Sequence, residues 1–453
     1  MLDSISPFLQ ILLSRKDWFF CTLITILGSV IRIYKYDQIP VHNWTADEYA
    51  FAWSGMSLIK DHIPTSWSWL KAYGDIPTIE WKGLTYQLVS PWLDHPPLFS
   101  LIVGSAAILG GANTFFDCNL TTMRIPSLIL GISSIVLFYI LSLKLSNTNI
   151  AILASLIFAT NPNTVFLSRV AVSENLILFL SLLTLLCFLK YYQSSNANYL
   201  YIAACLAGLA SLAKITGFFL VPMICLLLIY QKKWRDSLVV LIIGLILLSG
   251  YFIYGSFYDF ELFFRVIQSH TNRFENFLLF PELLGKTVFF EDSWLTFSWL
   301  ILLPAMKGNI DDIKNRIIYI PIIIYLLILI FSGSQSHFYA WYIIPLFPFL
   351  FLALGKFLED FIKNPDFLTA TFLIIFVGGW SFNYNIEYGL GKLFLKLAIT
   401  KYSFIGLVCL LIAPFLVHAI IKSRVTKLVA SLTVVLILVI LVLGNINIIY
   451  NYQ

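Results

Sequence analysis

Apolar and polar positions alternate along this chain in long blocks, with little of the short-period pattern of soluble helices and strands. Thirteen apolar runs stand out: Trp18–Ile33, Ile125–Leu143, Ile150–Leu167, Leu176–Tyr192, Tyr199–Ala213, Gly217–Tyr230, Leu238–Tyr254, Trp294–Met306, Ile317–Phe331, Phe338–Leu354, Phe367–Phe382, Phe404–Ile421 and Leu428–Val442. A helix needs about 20 apolar residues to cross a bilayer core. The shorter runs reach that length by borrowing flanking residues. The pattern predicts an all-α polytopic membrane protein of about 13 transmembrane helices. A long polar loop, 34–124, follows the first run, and a second, 255–293, follows the seventh.

Lysine and arginine in short loops set the orientation, because basic loops stay in the cytoplasm. With Arg15 and Lys16 inside and thirteen spans alternating, the inner loops carry Lys144, Lys190, Lys232-Lys233 with Arg235, Lys307 with Lys314 and Arg316, Lys356 with Lys363, and Lys422 with Arg424 and Lys427. The two long loops and most acidic residues then lie outside. Leu98–Gly111 tests the scheme. It is apolar but only fourteen residues long, a length that suits an interfacial or re-entrant helix. If it crossed, Lys232-Lys233-Trp234-Arg235 would move outside, so it is expected to dip or lie on the outer surface. Asp47, Glu174 and Lys214 then share the outer interface.

Composition agrees with this reading and narrows the chemistry. The chain is 59% hydrophobic and 12% charged, against about half and a quarter in soluble domains. Its 453 residues are expected to form a single membrane-embedded domain with no removed signal peptide and no soluble C-terminal domain. The net charge of +5 follows from basic membrane edges and gives no reason to expect nucleic acid. The six cysteines form no C-x-x-C pair, so neither a disulfide framework nor a zinc site is expected. Walker, Rossmann and H-E-x-x-H signatures are absent, which removes ATP-driven transport, nucleotide-cofactor chemistry and a zinc peptidase.

Charges this close to lipid are costly unless they have a use, so the few outer-face ones are the candidates. Asp47-Glu48 opens a stretch with apolar residues at helical spacing. Its two carboxylates would sit at a surface helix's N-terminus, where the dipole favours them; the alternative is a simple amphipathic helix cap. Asp94-His95-Pro96-Pro97 presents His95 rigidly, since a residue before proline is held extended, or it is only a turn. Arg169 and Glu174 lie at the outer ends of the third and fourth spans, where they could pair with each other. Lys214 is the only charge between Tyr199 and Lys232 and needs an anionic partner, unless it snorkels to headgroups. His337, Tyr339 and Tyr342 start the tenth span, where an aromatic belt would account for the tyrosines but not for His337.

Five of these pieces occur in the order of one known family. Asp47-Glu48-Tyr49-Ala50-Phe51-Ala52, His95-Pro96-Pro97-Leu98-Phe99, Arg124-Ile125-Pro126, Ser168-Arg169 followed by Glu174, and Gly208-Leu209-Ala210-Ser211-Leu212-Ala213-Lys214 resemble GT-C membrane glycosyltransferases, in particular the protein O-mannosyltransferase and lipid A aminoarabinose transferase group. The resemblance covers residues 18–230, expected to form the catalytic module with its first outer loop, and reaches Tyr342–Pro348 more loosely. Residues 231–453 match as generic spans.

The resemblance implies a GT-C-type bundle with juxtamembrane helices in the first loop, and transfer of a hexosyl or pentosyl group from a polyprenyl-phosphate donor to a hydroxyl acceptor. Asp47 falls on the family's catalytic acid/base position. Glu174 falls on a second acidic position, where relatives commonly have Asp, and Glu48 would assist. Lys214 falls where the donor phosphate is met, with His95, Arg169, His337, Tyr339 and Tyr342 as further substrate-binding candidates. The expected partners are the lipid-linked donor, a lipid, glycan or protein acceptor, and membrane lipid. The expected setting is a prokaryotic plasma membrane with the site extracytoplasmic. No obligatory metal is expected, although Asp47, Glu48, His95 and Glu174 are metal-ligand types. The rival class is a multi-pass transporter or flippase of a lipid-linked or anionic solute. It would place its charges near the bilayer midplane and show an inverted repeat, and neither is visible. A polysaccharide ligase would carry its key residues in a large late loop.

Overall fold

The computed structural model describes residues 14–42, 45–271, 293–305, 312–332, 340–388 and 401–452. The described part of each of the thirteen apolar runs is helical, apart from Asn161 within Ile150–Leu167. Seven helices are long and apolar enough to cross a membrane, and an eighth is counted if Thr148–Thr160 and Pro162–Arg169, bent by 58° to one another, form one span. The bend falls where Asn161 caps the second segment and Pro162 opens it, as expected for a proline confined to a first turn. Five shorter apolar helices are also present among the described residues, and the helix Arg15–Ile33 of the first apolar run belongs to neither group.

The first helix, α1 (Arg15–Ile33), starts at a capping box between Ser14 and Asp17. After it, the first long loop is largely ordered. It contains α2 (Asp47–Asp61), a three-stranded antiparallel sheet in the order β1 (Ser66–Trp67), β3 (Leu84–Val89), β2 (Thr78–Trp81), and α3 (Pro97–Leu109). The hydropathy pattern gives no warning of the sheet, whose strands are two to six residues long.

Helix α3 contains thirteen residues, about 20 Å of helix against a bilayer core of about 30 Å. It lies against α2 at a crossing that only small residues permit. A Cβ on Gly55 would fall 1.7 Å from the Ser100 carbonyl oxygen, and one on Gly104 would fall 2.3 Å from the Gly55 carbonyl carbon.

The remaining helices used below are α4 (Ile125–Leu145), α5 (Thr148–Thr160), α6 (Pro162–Arg169), α7 (Ser173–Ser194), α8 (Ala197–Ala213), α9 (Leu220–Tyr230), α10 (Trp234–Thr271), α11 (Ser293–Ala305), α12 (Ile313–Ser332), α13 (Phe347–Lys363), α14 (Gly379–Tyr388), α15 (Lys401–Ile421) and α16 (Arg424–Asn451). One apolar core runs from Cys21 to Leu441. Asn147 and Asn149 at the start of α5 donate to Glu359 of α13, which ties the two halves together. Helix α10 extends well past its apolar run to Thr271, with a kink at Asp259. This extension brings the start of the second long loop over the first.

Candidate active site

A cavity of about 270 Å³ opens between the first loop and the helical bundle. It is built from stretches of chain that are far apart in sequence. Asp47, Ala50 and Phe51 come from the first turns of α2. Trp67, Ser68, Trp69, Trp92, Asp94 and His95 come from the sheet and the turn before α3. Lys214, Ile215 and Thr216 follow α8, and Tyr251, Ile267, His270, Tyr325, Leu329 and Tyr342 come from the later helices.

Asp47 is in the first turn of α2, with its side chain partly buried. Withdrawal from water raises its carboxyl pKa to about 6; Lys214 opposes the rise, while Glu174, Asp94 and Glu48 add to it. The next residue faces elsewhere. Glu48 is fully buried and accepts from Arg124 Nε and Nη2, both at 2.8 Å, and from the Ala171 amide at 2.7 Å. Arg124 also donates to the Tyr36 and Pro40 carbonyls and to Thr45 Oγ1. One bidentate pair thus fastens the N-terminal end of α2 to α4 and to the chain leaving α1, which leaves Asp47 to face the cavity.

Lys214 interrupts the apolar path between α8 and a short 3-10 helix, Ile215–Phe219, in extended backbone. The turn requires glycine at 217, where a Cβ would lie 2.1 Å from the Ala210 carbonyl oxygen. The lysine is 7% exposed. Its Nζ lies 2.5 Å from Glu174 Oε1 and 4.2 Å from the centre of the Tyr342 ring. Burial pulls its pKa down, but Glu174 and then Tyr342 and Asp47 raise it further, to a net value above that of an ordinary lysine. The ammonium therefore stays charged at neutral pH. Glu174, in the first turn of α7, also accepts from Ser173 Oγ. Tyr325 of α12 donates to the Tyr342 carbonyl at 2.9 Å and fixes that ring's backbone.

On the loop side, Asp94 accepts from Ser68 Oγ and Tyr73 Oη, each at 2.7 Å. His95 stacks between Phe51 and His270, with ring centres 5.5 and 5.9 Å apart. Four of the sequence candidates, Asp47, His95, Lys214 and Tyr342, therefore line one cavity, and Glu174 joins them through Lys214. Arg169 does not. It is buried behind the site, donates to the carbonyls of Ile31, Arg32 and Ile39 and makes no pair with Glu174 among the described residues. His337 and Tyr339 lie outside the described residues. No group of three or more His, Cys, Asp or Glu side chains that could hold a metal occurs among the described residues.

Several cavity residues carried no sequence signal. Trp67 sits in the unanticipated sheet, Trp69 and Trp92 in the segments that follow its strands, and Tyr325 is hidden in an apolar run. Arg124 belongs to a quoted motif, but nothing in the spacing identifies it as the partner of Glu48.

The family model for dolichyl-phosphate-mannose-protein mannosyltransferase matches residues 94–254, a little over a third of the chain. The match includes Glu174 and Lys214 and begins after Asp47, which it does not cover. No curated protein matches the sequence. Among solved structures, ArnT from Cupriavidus metallidurans bound to undecaprenyl phosphate is similar at 15% identity and TM-score 0.56, over 96% of this chain and 78% of that one. Arabinosyltransferase EmbB from Mycobacterium smegmatis is similar at 13% identity and TM-score 0.51, over 97% of this chain and 42% of that one. The S. cerevisiae protein O-mannosyltransferase Pmt1–Pmt2 complex bound to the sugar donor is 19% identical with TM-score 0.39, over 57% of this chain. The chain spans about a third (34%) of the length of that yeast chain. The chain is a multi-pass membrane protein with the GT-C fold.

Proposed function

We propose that the protein transfers a sugar from a polyprenyl-phosphate donor to a hydroxyl acceptor, with Asp47 as base and Lys214 at the donor phosphate. The observation that carries this reading is the meeting of Asp47 with the buried Lys214–Glu174 pair at one cavity, from positions far apart in sequence. The GT-C fold supports it. The two groups match the two needs of the reaction. Asp47, raised to about 6, is ionised at neutral pH yet basic enough to take a proton, a role worth typically about 10²–10⁴-fold. The Lys214 ammonium stabilises charge developing on the leaving phosphate.

In the proposed step the Asp47 carboxylate takes the acceptor O–H proton while the acceptor oxygen bonds to the anomeric carbon. The bond from that carbon to the phosphate oxygen breaks, and its electron pair leaves with the polyprenyl phosphate. A single displacement inverts the anomeric centre. Glu174 holds Lys214 in place, and Glu48 aims Asp47 through the anchor to Arg124 instead of acting on substrate. Asp47 then faces outward with α3 lying along the outer surface, which is the topology the basic loops favour.

Lys214→Ala tests the phosphate role. Transfer should fall at least tenfold, with weaker donor use, and an unchanged donor KM and kcat would contradict the assignment.

A further inference from the structure

Asp94 stands on the loop wall of the cavity and has no part in the proton and phosphate chemistry. Each of its carboxylate oxygens receives a hydroxyl, Oδ1 from Tyr73 Oη and Oδ2 from Ser68 Oγ, both at 2.7 Å. A hydroxyl has one proton to give, and its direction follows from what the oxygen accepts. The Leu93 amide donates to Tyr73 Oη at 2.8 Å, and the Leu70 amide donates to Ser68 Oγ at 3.1 Å. Both hydroxyl protons are thereby directed at Asp94. Tyr251 of α10 donates to the Leu93 carbonyl at 2.9 Å and holds the strap in place. Among the described residues, neither Tyr73 nor Leu93 lines the cavity. The network therefore converges from behind the wall on one carboxylate that does.

Fixing a side chain before a ligand arrives lowers the ordering cost of binding. A tie that served the loop alone would bury the carboxylate with its donors. Here Ser68 is 1% exposed, whereas Asp94 is only half-buried and lines the cavity. A carboxylate can accept about four hydrogen bonds, more than the two hydroxyls supply. The position is also close to the proposed base. Ser66 Oγ donates to the Ala50 carbonyl of α2 at 2.8 Å, and His95 stacks on Phe51 at 5.5 Å. The segments that carry Ser68 and Asp94 thus lie against the first turns of α2, where Asp47 feels the Asp94 charge.

The same charge repels a phosphate, which keeps the donor phosphate on the Lys214 side. What suits a fixed acceptor beside apolar ring surface, such as the 38% exposed Trp69 on this wall, is a sugar ring. Its hydroxyls donate, and its C–H faces are apolar. We infer that Asp94 is the specificity-determining residue of a sugar subsite, in which its carboxylate accepts from ring hydroxyls of the sugar bound beside Asp47. Tyr73 and Ser68 are its positioning residues. The subsite rests on the glycosyltransferase reading for the origin of the sugar, which is either the donor's sugar or a sugar acceptor.

The test uses the full-length protein in detergent with two variants. Asp94→Asn keeps the shape and removes the charge, and Tyr73→Phe keeps the charge and loosens its aim. Affinity is measured for undecaprenyl phosphate and for the same lipid carrying mannose, glucose or arabinose. Acceptor KM is measured with methyl glycosides of the same three sugars. If Asp94 reads the donor sugar, wild type prefers one sugar-bearing lipid over the bare one. Asp94→Asn then loses roughly ten- to hundredfold for that lipid, as expected for hydrogen bonds to a charged group, and Tyr73→Phe loses roughly threefold. Both variants bind the bare lipid at least as tightly as wild type, which also shows that they are folded. If Asp94 reads a sugar acceptor, donor affinity is kept and acceptor KM rises by the same factors. Tyr73→Phe decides the matter where Asp94→Asn fails to fold. Sugar-bearing and bare lipid weakened alike, or sugar preference and acceptor KM both unchanged, would overturn the subsite. Sugar-dependent binding that the variants weaken, without transfer by wild type from any of these donors, would instead sink the transferase reading and leave the subsite standing.

Discussion

Asp47 and Glu48 are adjacent carboxylates with opposite circumstances, and substitutions should separate them. The Asp47 pKa is higher in the folded protein, at about 6, than the unperturbed aspartate value of about 3.9. Its ionisation therefore opposes folding once pH rises above the unfolded value, and that cost is complete above about 6. Asp47→Asn removes the cost. At pH 7.5 the variant should melt at or above the wild-type temperature while transfer is lost; a clear drop in Tm would contradict the burial argument. Glu48→Gln should behave oppositely. It leaves the Arg124 guanidinium buried without its counter-charge, and breaking a buried pair costs about 3–5 kcal/mol. Reduced yield and a lower Tm are expected, and a stable but inactive Glu48→Gln protein would argue for a direct chemical role. The base must be ionised, so kcat/KM, which reports the free enzyme, should fall as pH drops through about 6. Lys214→Ala removes the charge that holds Asp47 down, and in residual activity the acid limb should move to higher pH. A limb that stays in place would separate the two residues.

Among the elements, the α2–α3 pair sets the geometry of the site. Gly55 and Gly104 let the two helices touch backbone to backbone, which places Phe51 against Phe99 and His95. Gly55→Ala should push α2 away and cost about 1–3 kcal/mol through overpacking, with transfer falling as Asp47 shifts; a variant as stable and active as wild type would contradict the close packing. The sequence predicts both helices because their apolar runs and proline and glycine boundaries are local signals. Strands of two to six residues carry too few alternations to stand out, and so the sheet that supports Trp67 is not visible there. The bend between α5 and α6 is marked by Asn161-Pro162, yet hydropathy alone reads the two helices as one run.

Across the molecule, the order of apolar runs indicated a helical membrane protein. The order of motifs brings Asp47, His95, Glu174 and Lys214 together, because each belongs to a run of residues with recognisable spacing, and reaches Tyr342 more loosely. Glu48 and Arg169 do not line the cavity, for one shared reason. Both are buried charges at helix ends, and sequence cannot tell a charge facing a cavity from one clamping backbone: Arg169 meets three carbonyls and Glu48 meets Arg124. The proposed topology has its own check. Single cysteines at Lys71 and at Lys232, in a background without native cysteines, should label from opposite sides of sealed vesicles, and labelling from one side would refute it. The central claim is tested most directly by incubating the purified protein with radiolabelled polyprenyl-phosphate sugars and a hydroxyl acceptor. Label should leave the lipid for the acceptor with wild type and remain on the lipid with Asp47→Asn. Equal transfer by the two proteins, or none by wild type from any donor, would contradict the account.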